Sequence, residues 1–336
     1  EEAIRLNAED VQILSGLGLV NQVLGNNEAA LEAFSKTISL DPNKTQIYYH
    51  RGNVYYALNR FEEALRDFDE ALRRNPEDYA AYRDRGRTNF TLNRKEDALA
   101  DYNRAFSLNP DDAQVCSGRA AIYYEQDQYP EAISDYTEAL RLDPEDRQSY
   151  LGRGLAYEAV EDYSMALSDY NEVIQIDPNS ANVFADRGRL YGALNRLPEA
   201  LEDYDEAVRL DPQFAAAIAD RGKLHHALDR IPEAIADYDD AIRLVPGNAQ
   251  FYIRRGDANF DLERLEEAKI DYTEAIRLDP SNARAFASLG RTYEELDLAS
   301  EALAHYSAAL QLDRKDDQTI FRRGRLYQGL NQFELA

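Results

Sequence analysis

The chain has 336 residues, with 63 acids against 38 bases and a net charge of −25. That balance argues against nucleic acid, which calls for a dense basic face to neutralise phosphates, and against anionic membrane surfaces. No apolar run approaches the ~20 residues of a membrane span, no signal peptide is visible, and the single cysteine, Cys116, allows no disulfide within the chain.

Proline falls at 42, 76, 110, 144, 178, 212, 246 and 280, always 34 residues apart. A fixed period of this size marks an array of structural repeats. With that proline at position 32, copies begin at Val11, Thr45, Tyr79, Ala113, Arg147, Ala181, Ala215, Ala249, Ala283 and Asp317. Taken in chain order, residues 1–10 align with the end of a helix and its linker and are expected to close a preceding copy. Nine complete copies run over 11–316, and 317–336 form a partial tenth. Each copy predicts helix A at roughly positions 2–14 and helix B at roughly 18–30, joined by a polar turn such as Leu58-Asn59-Arg60. Helix B often opens with proline, as at Pro130, Pro198 and Pro232, or with an acid, as at Glu62 and Glu96. Both suit a helix start. Asp-Pro or Asn-Pro ends it, because the residue before proline is pushed out of the α region. Without an initiating methionine, the chain reads as a piece of a longer array. Its two ends are then expected to expose apolar faces and to self-associate end to end at high concentration.

Position 20 is alanine in every copy, from Ala30 to Ala336, and position 8 is glycine except at Ala120. Position 24 is aromatic throughout, from Phe34 to Tyr306, and position 11 is often tyrosine, as at Tyr55 and Tyr157. Small residues permit close helix approach and the rings fill the space beside them. Leu17-Gly18, Ala30, Phe34 and Pro42, with their equivalents down the chain, resemble the tetratricopeptide repeat. The resemblance covers essentially the whole chain. It implies an all-α fold, a right-handed solenoid superhelix of antiparallel helix pairs whose A helices line a concave groove that binds a peptide or partner helix. The pentatricopeptide family has a similar period and reads RNA, but the acidic charge and the small residues at positions 8 and 20 argue against it.

Internal comparison of the copies predicts an ion-pair ladder. Position 7 is arginine in Arg51, Arg85, Arg119, Arg153, Arg187, Arg221, Arg255 and Arg323, and position 23 is aspartate in Asp67, Asp101, Asp135, Asp169, Asp203, Asp237 and Asp271. Both are lost together in the first copy, to Leu17 and Ala33, and in the ninth, to Leu289 and His305. Joint loss within one copy pairs each arginine with the aspartate of its own copy.

The four histidines, His50, His225, His226 and His305, form no HExxH or other metal-ligand spacing, and there is no phosphate loop or GxSxG. No catalytic centre, metal or cofactor is expected. Positions 2, 5, 9 and 12 of helix A share one stripe by helical spacing, the stripe that the resemblance turns inward. It offers Tyr49, Asn53, Tyr56, Arg83, Arg87, Phe90 and Tyr124, then Arg189, Lys223 and Arg291. Arginine and aromatics are enriched in interface hot spots, so a protein or peptide partner, with acidic character, is expected there. The competing reading has these arginines pairing with position-6 acids such as Asp84, Asp186 and Asp220. The carboxylate clamp of chaperone-binding members is absent, since Tyr49 and Asn53 are followed by Asp84 and then by Ser117 and Ala121. The chain is therefore expected to be a non-catalytic interaction scaffold. The alternatives are the targeting arm of a larger enzyme, or a self-assembling array. The sequence does not fix the compartment, and the cytoplasm is the expectation.

Overall fold

The computed structural model describes residues 10–330, and the calls on residues 1–9 and 331–336 lie outside them. The described residues form α-helices joined by short turns, in the regular order that the period predicts. The first pair is Val11–Val23 and Asn27–Leu40, the second Thr45–Ala57 and Phe61–Arg74, and the last helix is Asp317–Gly329. Helix A therefore occupies positions 1–13 and helix B positions 17–30, about one residue earlier than the sequence suggests. For helix A the shift comes from the caps. The side chains of Asp78, Asp112, Asp146, Asn248, Asn282 and Asp316, all at position 34, accept from backbone N–H groups of the helix that follows. Such caps satisfy donors that the first helical turn leaves unpaired.

The A-to-B turn is equally uniform. Position 15 adopts positive φ at Asn59, Asn93, Asp127, Glu161, Asn195, Asp229, Glu263 and Asp297, and at Gly25. The Arg60 N–H donates to the Tyr55 carbonyl and the Asn59 N–H to the Tyr56 carbonyl. This pair of bonds is a Schellman motif, which ties off the last carbonyls of helix A.

The chain divides into two compact units, one ending at Asp177 and one beginning at Pro178. Within each unit, helix A packs on its own helix B, and helix B on the next copy's helix A. Successive A helices also touch one another, and successive B helices do not do so to the same extent. Each unit therefore curves toward its A helices. The glycine at position 8 sets the A-to-B distance. A Cβ on Gly52 would lie 2.8 Å from the Phe68 ring, and one on Gly154 2.9 Å from the Tyr170 ring. Ala64, Ala98, Ala132, Ala166 and the other position-20 alanines from Ala30 to Ala302 are fully buried, as are Ala71, Ala105 and Ala139 at position 27. Each copy thus shares its core with its neighbours, as stacked repeats must.

The ladder is present and lies within copies. Arg51 meets Asp67 at 2.7 Å, Arg85 meets Asp101 at 2.5 Å, Arg153 meets Asp169 at 2.7 Å and Arg221 meets Asp237 at 2.6 Å. Nε and Nη2 grip the two carboxylate oxygens together, the fork geometry that favours arginine over lysine. A further partner was not visible in the pattern of joint loss. Nη1 reaches back to position 25 of the preceding copy, to Ser35, Asp69, Asn103, Thr137, Asp205 and Asp239 from Arg51, Arg85, Arg119, Arg153, Arg221 and Arg255. Each of these arginines ties three helices together and joins adjacent copies. Burial pushes the Asp67, Asp101, Asp169 and Asp271 carboxyls up, against the pull of their paired guanidinium groups.

Candidate partner-binding face

In the first unit, four of the expected stripe residues meet in one cluster. The Tyr49 hydroxyl donates to Asp84 at 2.8 Å, across one copy boundary. Burial, and next the Asp84 charge, push this phenol up to about 12. Asp84 is itself buried, and Arg83 binds it at 3.1 Å while also meeting Asp112 at 3.0 Å. Arg87 approaches Asp84 at 3.5 Å and lies 4.3 Å above the Tyr56 ring. Tyr56 also shares a 3.3 Å hydrogen bond with Thr91 and meets Phe61 edge-on.

The remaining stripe residues are more dispersed. The Asn53 amide oxygen and the Arg87 Nε are buried without a hydrogen-bond partner. Phe90 packs against the core formed by Ala98, Tyr102 and Val115. Tyr124 meets Tyr129 edge-on at 5.6 Å. In the second unit Arg189 stands 3.7 Å from Asp186, Lys223 is exposed, and Arg291 is exposed with its guanidinium 4.0 Å above the Phe260 ring. Pairing with position-6 acids is thus the observed arrangement for Arg83, Arg87 and Arg189. Asp220 pairs instead with Arg254 of the following copy, at 2.9 Å.

Each unit has an open cleft on its own A-helix side. One, of about 300 Å³ in the first unit, is lined by Arg83 and Arg87, by Gln114, Ser117 and Gln148, and by Tyr102 and Tyr136. These two tyrosines were missed in the sequence, because position 24 reads as pure core. They reach the cleft because the next copy carries glycine at position 6. A Cβ on Gly118 would lie 2.5 Å from the Tyr102 ring, and one on Gly152 2.3 Å from the Tyr136 ring. The coincidence of tyrosine at 24 with glycine at the next position 6 was the available signal. The other cleft, of about 550 Å³ in the second unit, is lined among others by His226, Asp257, Phe260, Arg284, Ser288 and Arg291. Here the stripe carries acids as well. Asp257 accepts from Tyr272 at 2.7 Å and from Arg284 at 2.5 Å, and Glu294 accepts from Tyr306 at 2.6 Å. No group of histidine, cysteine and acidic residues suited to a metal occurs among the described residues. None of their helices is long and apolar enough to cross a membrane.

Models of the tetratricopeptide repeat match residues 49–113, 185–249 and 220–271, residues 148–180, and residues 283–316. A further model, described as TPR repeat, matches 23–59, 120–160 and 256–297. This chain belongs to the tetratricopeptide repeat family. No curated protein is matched by it. Among solved structures it is similar to a tetratricopeptide repeat protein from Parabacteroides merdae, with a TM-score of 0.54 and 19% identity over 74% of this chain and 98% of that one. It is also similar to a chain of the APC/C hetero-tetramer Cut9-Hcn1, with a TM-score of 0.55 and 14% identity over 89% of this chain and 59% of that one. A third is YrrB, described as a TPR protein with an unusual peptide-binding site, with a TM-score of 0.50 and 23% identity over 56% of this chain and 97% of that one. At these identities the likeness is one of fold. The tetratricopeptide repeats support a protein-interaction scaffold as the class of function.

Proposed function

We propose that this tetratricopeptide protein is a non-catalytic scaffold that holds an extended or helical segment of a partner protein along its A-helix face. The observation that carries the reading is the first unit's cleft. Its floor is small, with Gly118 and Ala121, its walls carry Tyr102 and Tyr136, and its rim carries Arg87. A recess with aromatic walls and an arginine rim has the composition of an interface hot spot. The peptide-binding site described for YrrB is in keeping with this reading. Arg83, held between Asp84 and Asp112, serves the fold, so the partner's acidic side chains are assigned to the more exposed cations, Arg87, which only approaches Asp84 at 3.5 Å, Lys223 and Arg291.

The test is a fluorescence-anisotropy screen of labelled peptides, half rich in glutamate and half in lysine, against the wild type and an Arg87→Glu, Lys223→Glu, Arg291→Glu variant. Acidic peptides are expected to bind the wild type in a salt-dependent manner and to lose at least about tenfold in affinity with the variant, the size of one charge-assisted contact. Peptides held equally by both proteins would remove the A-helix stripe as the site.

A second reading has one specific observation in its favour. Val20 and Val23 on the first described helix, and Phe321 on the last, are exposed. Association between copies of the chain would cover them. Light scattering across a wide concentration range decides it, since a constant monomer mass removes self-association.

A further inference from the structure

The ladder arginines differ from copy to copy in what covers the guanidinium. Arg51 lies 5.9 Å from the Tyr48 ring and 5.7 Å from the Tyr55 ring. Arg153 lies 5.6 Å from Tyr150 and 5.9 Å from Tyr157, and Arg187 lies 5.6 Å from Phe184 and 5.7 Å from Tyr191. In these copies the cation meets two rings, one from position 4 and one from position 11. The third and eighth copies carry asparagine at position 11 instead, Asn89 and Asn259. There Arg85 meets only Tyr82, at 5.4 Å, and Arg255 meets only Tyr252, at 5.7 Å. Each asparagine is buried and donates to the ladder aspartate, Asn89 to Asp101 and Asn259 to Asp271, both at 3.1 Å. The shorter side chain keeps the ladder intact and leaves out the second ring.

A hollow stands at each of these two copies. The first, of about 360 Å³, is lined by Arg85 and Asn89, by Leu65 of the preceding helix B, and by Arg94, Asp97 and Ala100. The second, of about 250 Å³, is lined by the equivalent Arg255, Asn259, Ile235, Glu267 and Ile270. By helical spacing, positions 7 and 11 lie on the side of helix A opposite positions 2, 5, 9 and 12. These hollows are therefore separate from the A-helix clefts. In the second copy, Arg60 at position 16 stacks 4.6 Å from Tyr55, and in the sixth Arg196 stacks 4.5 Å from Tyr191. In the third copy the equivalent Arg94 lines the hollow. The same arginine positions that hold the ring elsewhere thus surround the empty space here.

We propose that the hollows at Asn89 and Asn259 each receive a tyrosine side chain of a partner protein. That ring completes the ring–guanidinium–ring stack that the chain supplies from its own position 11 in other copies. The chemistry is fixed by three features. A guanidinium already held in place by two aspartates, Asp101 and Asp69 for Arg85, Asp271 and Asp239 for Arg255, presents a cationic surface to an aromatic face. Leu65 or Ile235, with Ala100 or Ile270, gives the ring an apolar wall. The exposed carboxylates of Asp97 and Glu267 stand at the rim, where a phenolic hydroxyl can donate. The hollows also hold acids, Asp69, Asp97 and Asp101 in the first and Asp239, Glu267 and Asp271 in the second, so a lysine is the competing occupant that the experiment must separate.

The probe is p-cresol, the tyrosine side chain alone, titrated into the full chain with the Arg Nε–H and Asn side-chain amide resonances followed by NMR. n-Butylammonium serves as the lysine counterpart. Saturable shifts at Arg85, Asn89, Arg255 and Asn259 are expected with p-cresol, with Arg153, already stacked by Tyr157, unmoved. Asn89→Tyr should abolish the shift at Arg85 alone and Asn259→Tyr that at Arg255 alone. Tyr157→Asn should create a new p-cresol response at Arg153, a gain that no loss of folding can mimic. The proposal is overturned if p-cresol moves no resonance, if it moves Arg153 of the wild type as much as Arg85, or if n-butylammonium moves Arg85 and Arg255 instead.

Discussion

The fifth and ninth copies build the same helix hairpin from different chemistry. In the fifth, Arg153 grips a nearly fully buried Asp169 and reaches back to Thr137 at 3.2 Å. In the ninth, a buried Leu289 replaces the arginine, and His305 stands in the aspartate's place, stacked 5.2 Å from Tyr293 and 6.1 Å from Phe286. Gly290 still lies against the Tyr306 ring, just as Gly154 lies against Tyr170. The hairpin geometry therefore belongs to the glycine, alanine and aromatic positions, and the ion pair is one of two ways to fill the space beside them. A buried pair repays its desolvation only when its geometry is good and its remaining hydrogen bonds are met. The bidentate grip and the contact to the preceding copy supply both here.

The largest effect comes from breaking the pair on one side. Arg153→Leu strands a buried carboxylate and should cost about 3–5 kcal/mol in denaturant unfolding. Arg153→Leu with Asp169→Ala copies what the first copy does naturally with Leu17 and Ala33, and should cost clearly less than the single change. Strictly additive losses in this double-mutant cycle would show that the two residues do not act as a pair. The reverse transplant, Leu289→Arg with His305→Asp, should be tolerated, because Thr273 stands at position 25 of the eighth copy as Thr137 does in the fourth.

Overpacking comes next. Ala166 and Ala302 occupy position 20 in the two copies and both are fully buried. Leucine at either should cost about 1–3 kcal/mol. Equal losses are expected, because the joint is common to both copies. A loss confined to the fifth copy would mean that the ladder, and not the small residues, sets the helix spacing. A smaller and opposite effect belongs to the turn. Glu161 holds φ at 62° in the fifth copy, where the ninth has Asp297 at 59°. Left-handed backbone is strained for a long side chain and easier for aspartate or asparagine. Glu161→Gly should stabilise by about 1 kcal/mol, and Asp297→Gly by less.

The features written in a single copy were legible in the sequence, and those written between copies were less so. Proline at 32, glycine at 8 and alanine at 20 each act on their own hairpin, so they announced the helices and the turn. The ladder was readable because both partners vanish together in two copies. Its third member at position 25 was not, because Ser35, Asp69, Asn103 and Thr137 share only the ability to accept a hydrogen bond. Periodicity groups the stripe residues on one side of helix A, but it is blind to what stands opposite. Asp84 engages Tyr49, Asp220 engages Arg254 and Asp257 engages Arg284, across copy boundaries that a stripe of single positions does not represent. The first unit's cleft depends on a tyrosine in one copy and a glycine in the next, for the same reason.

The smallest predicted difference is one of pH, and it separates the two copies by sign. Burial lowers the His305 imidazole below its ordinary 6.5, so the folded ninth copy favours the neutral ring. A group depressed in this way contributes stability above its unfolded value, and that contribution is lost as pH falls through the folded value. Burial raises Asp169 instead, so the folded fifth copy accepts a proton no less readily than the unfolded chain and loses nothing on the way down from neutrality. Between pH 6.5 and the carboxylate range, amide exchange in the helices Ala283–Glu295 and Ala299–Leu312, corrected for its intrinsic pH dependence, should therefore accelerate relative to Arg147–Ala159 and Tyr163–Ile176. His305→Phe keeps the ring against Tyr293 and removes the proton. It should leave the two copies with the same pH response, and a difference that persisted in that variant would place its origin in a group other than this histidine.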